Sequence, residues 1–218
     1  MKIHYYGHAA FKVTTEAGAR IIIDPYESGG FEGALGYGKI ADEADIVITS
    51  HDHGDHNYTQ DLKGKYTLIN KAGDYTIKGV KIKMIPVFHD PSQGRERGKN
   101  LISVISADGL TLAHLGDLGH DLEGATLKDM GRIDVLLLPV GGFFTIDAGQ
   151  ADKIANTLKP AITIPMHYKT EKCAFPIALV DDFTKGFKQV NKLKGSELEI
   201  KKGDLPKSPE IMVLQHAL

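Results

Sequence analysis

The hexapeptide His51-Asp52-His53-Gly54-Asp55-His56 packs three imidazoles and two carboxylates into consecutive positions. A polar stretch rich in Asp and Gly also makes ordinary surface turns, whose side chains bond their own backbone. That accounts for the aspartates and the glycine but leaves the histidines at i, i+2 and i+5 unexplained. In an extended segment residues two apart share a face, so His51 and His53 can address one ion while Asp55 and His56 diverge toward another. Imidazole nitrogen and carboxylate oxygen together form the donor set of hydrolytic zinc, iron or manganese.

Four apolar runs lead into further donors of the same kind: "IVITS" before His51, "IKMIPVF" before His89, "TLAHLG" before Asp117 and "AITIPM" before His167. Strand ends and the loops after them are where a rigid scaffold presents functional side chains. Counted together, His51, His53, Asp55, His56, His89, Asp117 and His167 exceed what one catalytic zinc takes from a protein. They divide between two ions: His51, His53 and His89 on the first, Asp55, His56 and His167 on the second, with Asp117 bridging. Two metals about 3.5–4 Å apart hold a hydroxide between them and stabilise charge on the attacked oxygen.

The elements that must position these groups are short. "KIHYYG", "FKVTT", "RIIID" and "ADIVITS" read as strands, followed by "YTLIN", "YTIKGVKIKMIPVFHD" and "LISVISADGLTLAHLGD", the last folded into a hairpin at Asp108-Gly109. Beyond these, a short helix is expected at 122–131, a strand at "IDVLLLPV", and a helix at "DAGQADKIANTLK" capped by Asp147 and ended near Pro160. A strand "AITIPMH", a helix across 177–193 and strands near 197–201 and 210–215 close the chain, with 201–210 as a loop. Such a pattern predicts an α/β protein of two sheets packed face to face with helices outside, in a single domain spanning 1–218.

Composition narrows the rest. With 218 residues, 26 basic against 28 acidic side chains and a formal net charge of -2, the chain has no global field for nucleic acid or an anionic membrane. Its longest apolar run, "VLLLPVGGFF", is far shorter than a membrane helix, and the N-terminus lacks the apolar core of a signal peptide. The single cysteine, Cys173, excludes an internal disulfide. The expectation is a cytoplasmic protein with a polar or anionic small-molecule substrate and no membrane partner.

"HDHGDH" resembles the His-x-His-x-Asp-His signature of the metallo-β-lactamase superfamily, and Asp24, His89, Asp117 and His167 follow in the order of its other motifs. The resemblance covers nearly the whole chain. It implies a four-layer αβ/βα sandwich with a binuclear metal site at the sheet edge, zinc foremost and manganese or iron compatible, and the same ligand partition. "YYGHAAF", "GKNLISVISADGLTLAHLGDLGH" and "LLLPVGGFFTIDAGQA" are similar to small hydrolases of the L-ascorbate-6-phosphate lactonase branch. By the same resemblance Asp24 is a carboxylate that orients a ligand His, against the alternative of a turn-forming Asp-Pro. Asp117 and Asp55 become the catalytic carboxylates, and His8 or His120 protonates the leaving group or binds substrate, although a lone His is often structural.

The basic loop after His89, with Arg95, Arg97, Lys99 and Asn100, is either solvated or a clamp for a substrate anion. Phe143 and Phe144 either line the pocket or sit in the core. The leading reading is a hydrolase that directs a metal-bridging hydroxide at a lactone, ester or phosphodiester. Against it stand a non-catalytic metal-binding domain of the same fold and an RNA or DNA phosphodiesterase, the latter disfavoured by the lack of a long basic arm.

Overall fold

In the run Ile21-Ile22-Ile23 neighbouring side chains point to opposite faces: Ile21 and Ile23 enter the central core, whereas Ile22 joins a separate outer cluster. Ile46, Val47 and Ile48 repeat the pattern, and Val135 and Leu137 point inward while Leu136 and Leu138 point away. A strand buried on both faces reads as an unbroken apolar run, which is what a sheet in the interior of a layered protein requires.

The computed structural model describes residues 1–218. Its elements are β1 (Lys2–Gly7), β2 (Ala10–Thr14), β3 (Arg20–Ile23), β4 (Ile46–Ile48), β5 (Thr67–Ile69), β6 (Gly73–Ile77), β7 (Val80–Phe88), β8 (Lys99–Ala107) and β9 (Leu110–His114). They continue as α1 (Gly124–Met130), β10 (Val135–Pro139), α2 (Ala148–Leu158), β11 (Ile162–Met166), α3 (Val180–Thr184), β12 (Val190–Lys192), β13 (Glu197–Glu199) and β14 (Glu210–Val213). Six strands form one sheet in the order β13-β1-β2-β3-β4-β5, and eight form the other in the order β12-β14-β11-β10-β9-β8-β7-β6.

Both sheets contribute to one apolar core between them. The helices lie over the eight-stranded sheet, where Ala151, Ile154 and Ala155 of α2 pack against its outer residues. Over the six-stranded sheet the outer layer is made by loops instead, with Tyr26, Leu35, Tyr37 and Ile40 covering Ile22 and Val47. No helix is long and apolar enough to cross a membrane.

The expected hairpin forms, with Asp108 and Gly109 both at positive φ between paired Ala107 and Leu110. A second turn of that kind, Lys78-Gly79, divides the single run expected over 75–90 into β6 and β7. Asp147 caps α2 by accepting from the Gln150 N–H at 2.8 Å. The helix expected across 177–193 is confined to α3. It ends before Gly186, and β-branched Val190 then pairs with Ile211 as an extra strand, so sheet hydrogen bonding overrides helix propensity there. Within 201–210, Lys202–Asp204 forms a 3-10 turn, and the Lys202 ammonium reaches Asp134 at 2.9 Å.

Strand direction positions the site. β1 and β3 are each antiparallel to β2, and β4 is parallel to β3, so all three end at the same edge of their sheet. By the same logic β7, β9, β10 and β11 share a direction. The residues after these ends are His8, Asp24, His51 to His56, His89, Asp117 and His167.

Asp45, just before β4, holds the start of that arm. Its carboxylate accepts from the Arg20 backbone N–H at 2.9 Å and from Arg20 Nε and Nη2 at 3.1 Å each, and Lys78 adds an ion pair at 2.7 Å. These hydrogen bonds, led by those from Arg20, hold the Asp45 carboxyl far below the usual range. A depressed pKa contributes stability above the unfolded value near 3.9, lost as pH falls toward the folded one. Asp45→Asn is therefore expected to cost about 1–2 kcal/mol at neutral pH. Thermal melts at descending pH should show the gap between variant and parent narrowing below about pH 4.

Candidate metal centre

Every metal donor expected from the sequence converges on one spot, buried but for His53 at its exposed rim and His51 beside it. His51, His53 and His89 offer ligand atoms within 4.8 Å of one another, as do Asp55, His56, His167 and His8, and likewise His51, His56 and Asp117. Asp117 stands at the centre: one carboxylate oxygen lies 3.2 Å from His56 Nε2, and the other 3.2 Å from His89 Nε2, 3.3 Å from His167 Nε2 and 3.9 Å from His51 Nε2.

Buried polar atoms are normally paired. Here His51 Nε2, His56 Nε2, His167 Nε2 and Asp117 Oδ1 have no hydrogen-bond partner although each is enclosed. Such a concentration of unpaired donors and acceptors is costly in an apolar interior unless a further group satisfies it. A divalent cation does so, and these atoms fit one.

Protonation suits that role. Burial, reinforced by neighbouring His56, pushes His51 down to about 3, so it offers a lone pair at neutral pH. Burial works to raise the Asp117 carboxyl, but His167 and His56 outweigh it and keep the group ionised, well below the usual range. Burial likewise opposes a charge on His56, yet the carboxylates of Asp117 and Asp55 hold its proton well above the ordinary imidazole value. A cation held there would displace a proton from His56.

Asp24, fully buried at the end of β3, sets the tautomers. Its Oδ2 accepts from His56 Nδ1 at 2.9 Å and from the Ser50 hydroxyl at 2.6 Å, and its Oδ1 accepts from the Ser50 N–H at 2.7 Å. Since the Ser50 proton is given to Asp24, the 2.9 Å contact between Ser50 Oγ and His51 Nδ1 has the imidazole donating. Both rings thus carry hydrogen on Nδ1 and turn Nε2 into the centre, where His51 offers a lone pair at once and His56 offers one when its second proton leaves, the orienting role a carboxylate plays around metals.

His8, the candidate for proton donation or substrate binding, stands against Asp55 among the donors. It is fully buried, and its Nε2 is 3.1 Å from Asp55 Oδ2. Burial, aided by His167, pushes its pKa down to about 4, so the neutral ring donates to the carboxylate. Its carbonyl accepts from the Tyr5 hydroxyl at 3.0 Å and from the His167 N–H at 2.8 Å. One residue therefore ties Asp55, which follows a strand of the first sheet, to His167, which follows a strand of the second. His8, Asp24 and His167 all sit at positive φ, 54°, 47° and 52°. Non-glycine residues take that conformation at a cost, and such outliers gather at functional sites.

His120 and Asn100 are corrected by their contacts. His120 Nε2 accepts from the Phe88 N–H at 3.2 Å and its Nδ1 donates to the Asp121 carbonyl at 2.8 Å, which leaves neither nitrogen for a substrate. Asn100 is fully buried, donating to the Leu115 carbonyl at 2.8 Å and accepting from the Asp117 N–H at 3.2 Å. It holds the Asp117 backbone rather than a ligand anion. In the basic loop Arg97 lines the cavity beside the donors, Lys99 lines an adjoining one, and Arg95 turns to the Ser92 carbonyl at 2.9 Å.

Three contributors escaped sequence reasoning. Phe31 and Phe175 form an aromatic wall with Phe144, and Asp90, adjacent to His89 in sequence, folds the basic loop by accepting from the N–H groups of Ser92, Gly94, Glu96 and Arg97 at 2.8–3.2 Å. An Asp followed by Pro-Ser-x-Gly is a turn signal and hinted at Asp90; nothing local marks Phe31 or Phe175. Close packing at two glycines is equally specific. A Cβ on Gly119 would stand 2.2 Å from the His89 carbonyl carbon, and one on Gly141 would stand 2.2 Å from the His167 oxygen. Gly119→Ala is expected to push the His89 backbone aside and weaken metal binding about 10–100-fold. A chelator competition titration on the folded variant reads this directly.

The chain belongs to the metallo-β-lactamase superfamily: the model of the beta-lactamase superfamily domain matches residues 2–167. Within it the chain is 33% identical, over 78% of its length and 85% of the relative's, to a UPF0173 metal-dependent hydrolase of Thermococcus kodakarensis. A UPF0173 metal-dependent hydrolase of Archaeoglobus fulgidus is 28% identical over 92% of this chain and 94% of its own. A crystal structure from Thermotoga maritima, assigned to the zinc-dependent hydrolases of the superfamily, superposes with a TM-score of 0.82 at 38% identity, covering 98% of this chain and 97% of that one. The fold is therefore the metallo-β-lactamase sandwich, here with loops for most of one outer layer.

Proposed function

We propose that the protein is a metal-dependent hydrolase that uses two divalent ions, zinc foremost, to cleave a lactone, ester or phosphodiester bond in a small polar or anionic metabolite. The observation that carries this reading is the convergence of two donor sets on Asp117, with enclosed nitrogens of three histidines lacking any protein partner. When bound, such ions supply hydroxide at neutral pH and positive charge opposite the attacked oxygen.

The chain's own residues define the rest. Asp24 and Ser50 orient His56 and His51, and His8 fixes Asp55. Asp117 places ionised oxygen between the two sets, where it can accept a proton from an attacking water. The exposed donor His53, with Asp55, His89 and Asp117, faces a cavity of about 550 Å³, large enough for a small metabolite.

The test is elemental analysis after metal reconstitution, wild type beside His53→Ala, followed by a panel of lactones, aryl esters and phosphodiesters. About two equivalents in the wild type, fewer in the variant, and cleavage within the panel are expected. A folded wild type that retains no metal, or one fully loaded that cleaves none of the three classes, overturns the reading.

A further inference from the structure

Two cavities flank His53 and differ in chemistry. The first, of about 550 Å³, is walled by Phe31, Phe144 and Phe175. Phe175 meets Phe31 edge-on at 5.3 Å between ring centres and Phe144 at 5.6 Å, and its own edge contacts His8 at 5.7 Å. Phe31 is 49% exposed, one of few large apolar side chains left in water, and it is held at φ 55° beside the metal donors. An exposed aromatic at a strained position has no use in the core, where its ring does not reach.

The second cavity, of about 610 Å³, shares His53 and Arg97 with the first and is lined besides by His51, Lys71 and Lys99. These cations arrive from different elements: Lys71 follows β5 of one sheet, Lys99 opens β8 of the other, and Arg97 ends the loop that Asp90 folds. The Arg97 N–H is fixed on Asp90 Oδ2 at 2.8 Å. Neither lysine is in an ion pair, and the nearest carboxylate to the Arg97 guanidinium, Glu96, stands 3.9 Å off. Asp52 also lines this cavity, one of its oxygens accepting from the Asn57 amide, so three cations face one carboxylate there. Arg97 and His53 line both cavities.

We infer that the substrate is two-sided: a planar apolar group rests on Phe31, Phe144 and Phe175, an anionic group is held by Lys71, Arg97 and Lys99, and the bond to be cut lies between them at His53. This rests on the hydrolase reading above and names the substrate class for that site. Flat apolar groups gain from stacking on aromatic faces, and a guanidinium with two ammonium groups matches a carboxylate or phosphate.

Calorimetric titration of the metal-reconstituted protein with phenylbutyrate, butyrate and phenylbutanol separates the two halves. Phenylbutyrate should bind at least about tenfold more tightly than either of the others, since only it engages both sides. The double variant Lys71→Glu, Lys99→Glu should lose about that factor for phenylbutyrate and much less for phenylbutanol. Phe31→Ala should weaken both aryl compounds and spare butyrate. All three positions are at the surface, and circular dichroism checks that the variants fold. Equal affinity for the three ligands, equal loss across them in either variant, or no measurable binding of phenylbutyrate overturns the inference. Metal content and cleavage of the ester panel are read on the same samples: a protein that is loaded and hydrolytic but indifferent to charge and ring sinks this inference alone, whereas one without metal sinks the hydrolase reading.

Discussion

Asp117→Asn is expected to reduce hydrolysis by about a thousandfold or more and to leave the protein holding less metal than the wild type. The substitution preserves shape and changes charge. Asp117 is 2% exposed and has oxygens 3.2–3.3 Å from the Nε2 atoms of His56, His89 and His167, so it is the one carboxylate shared by both donor sets. An amide there keeps one acceptor, turns an NH2 toward imidazole nitrogens, and removes the negative charge that would offset bound cations. Asn100 still anchors the backbone N–H at residue 117, so the variant should remain folded. Parallel measurement of metal content and of turnover at saturating metal distinguishes lost binding from lost chemistry. Wild-type turnover in a variant with full metal content would place the nucleophile elsewhere.

Four of the candidate donors, His51, His89, Asp117 and His167, were legible because an apolar strand runs up to each, and His53, Asp55 and His56 from their spacing after His51; strand periodicity is the clearest signal a single sequence carries. His89 after β7 and His167 after β11 could be read from that alone. What was not legible was the direction of side chains in loops. His120 lies three positions beyond Asp117 and looked equivalent to His8, yet its ring points at the Phe88 and Asp121 backbones. Asn100 was grouped with a basic loop by adjacency, but as a strand residue it faces inward. Helix 177–193 failed for a different reason: a three-residue strand pairing, Val190 to Lys192 against β14, is a tertiary event that no local pattern announces.

The aromatic wall shows the same limit from the other side. Phe31, Phe144 and Phe175 are far apart in sequence, and Phe31 and Phe175 have unremarkable neighbourhoods, so only the fold brings the Phe175 ring within 6 Å of the other two. The glycines beside the ligands are intermediate. "LGDLGH" and "PVGGFF" suggest close approach, but which backbone approaches, that of His89 at Gly119 or of His167 at Gly141, depends on how the strands are ordered in the sheet. The candidate donors were thus a property of the chain's local pattern, whereas the support around them belongs to the topology.

That support makes Asp24 the second position where one substitution should have a large effect. Asp24→Ala removes the acceptor for His56 Nδ1 and for both Ser50 donors, and through Ser50 it also frees His51. Burial works to raise the Asp24 carboxyl, but His114 and His56 outweigh it and hold it below the usual range, so the carboxylate is charged in the native protein. Breaking a buried charge network from one side costs about 3–5 kcal/mol, because the remaining partners stay enclosed. Two ligand rings would then be free to rotate or change tautomer, and metal affinity should fall about 10–100-fold. Asp24→Asn keeps an acceptor toward one partner only and should fall between the two. A thermal melt with and without added zinc reads both effects: zinc is expected to raise the wild-type midpoint by binding the folded state, and the rise should shrink in the variants. If Asp24→Ala melts with the wild-type increment, the carboxylate is a turn former beside Pro25, and His51 and His56 are oriented by packing alone.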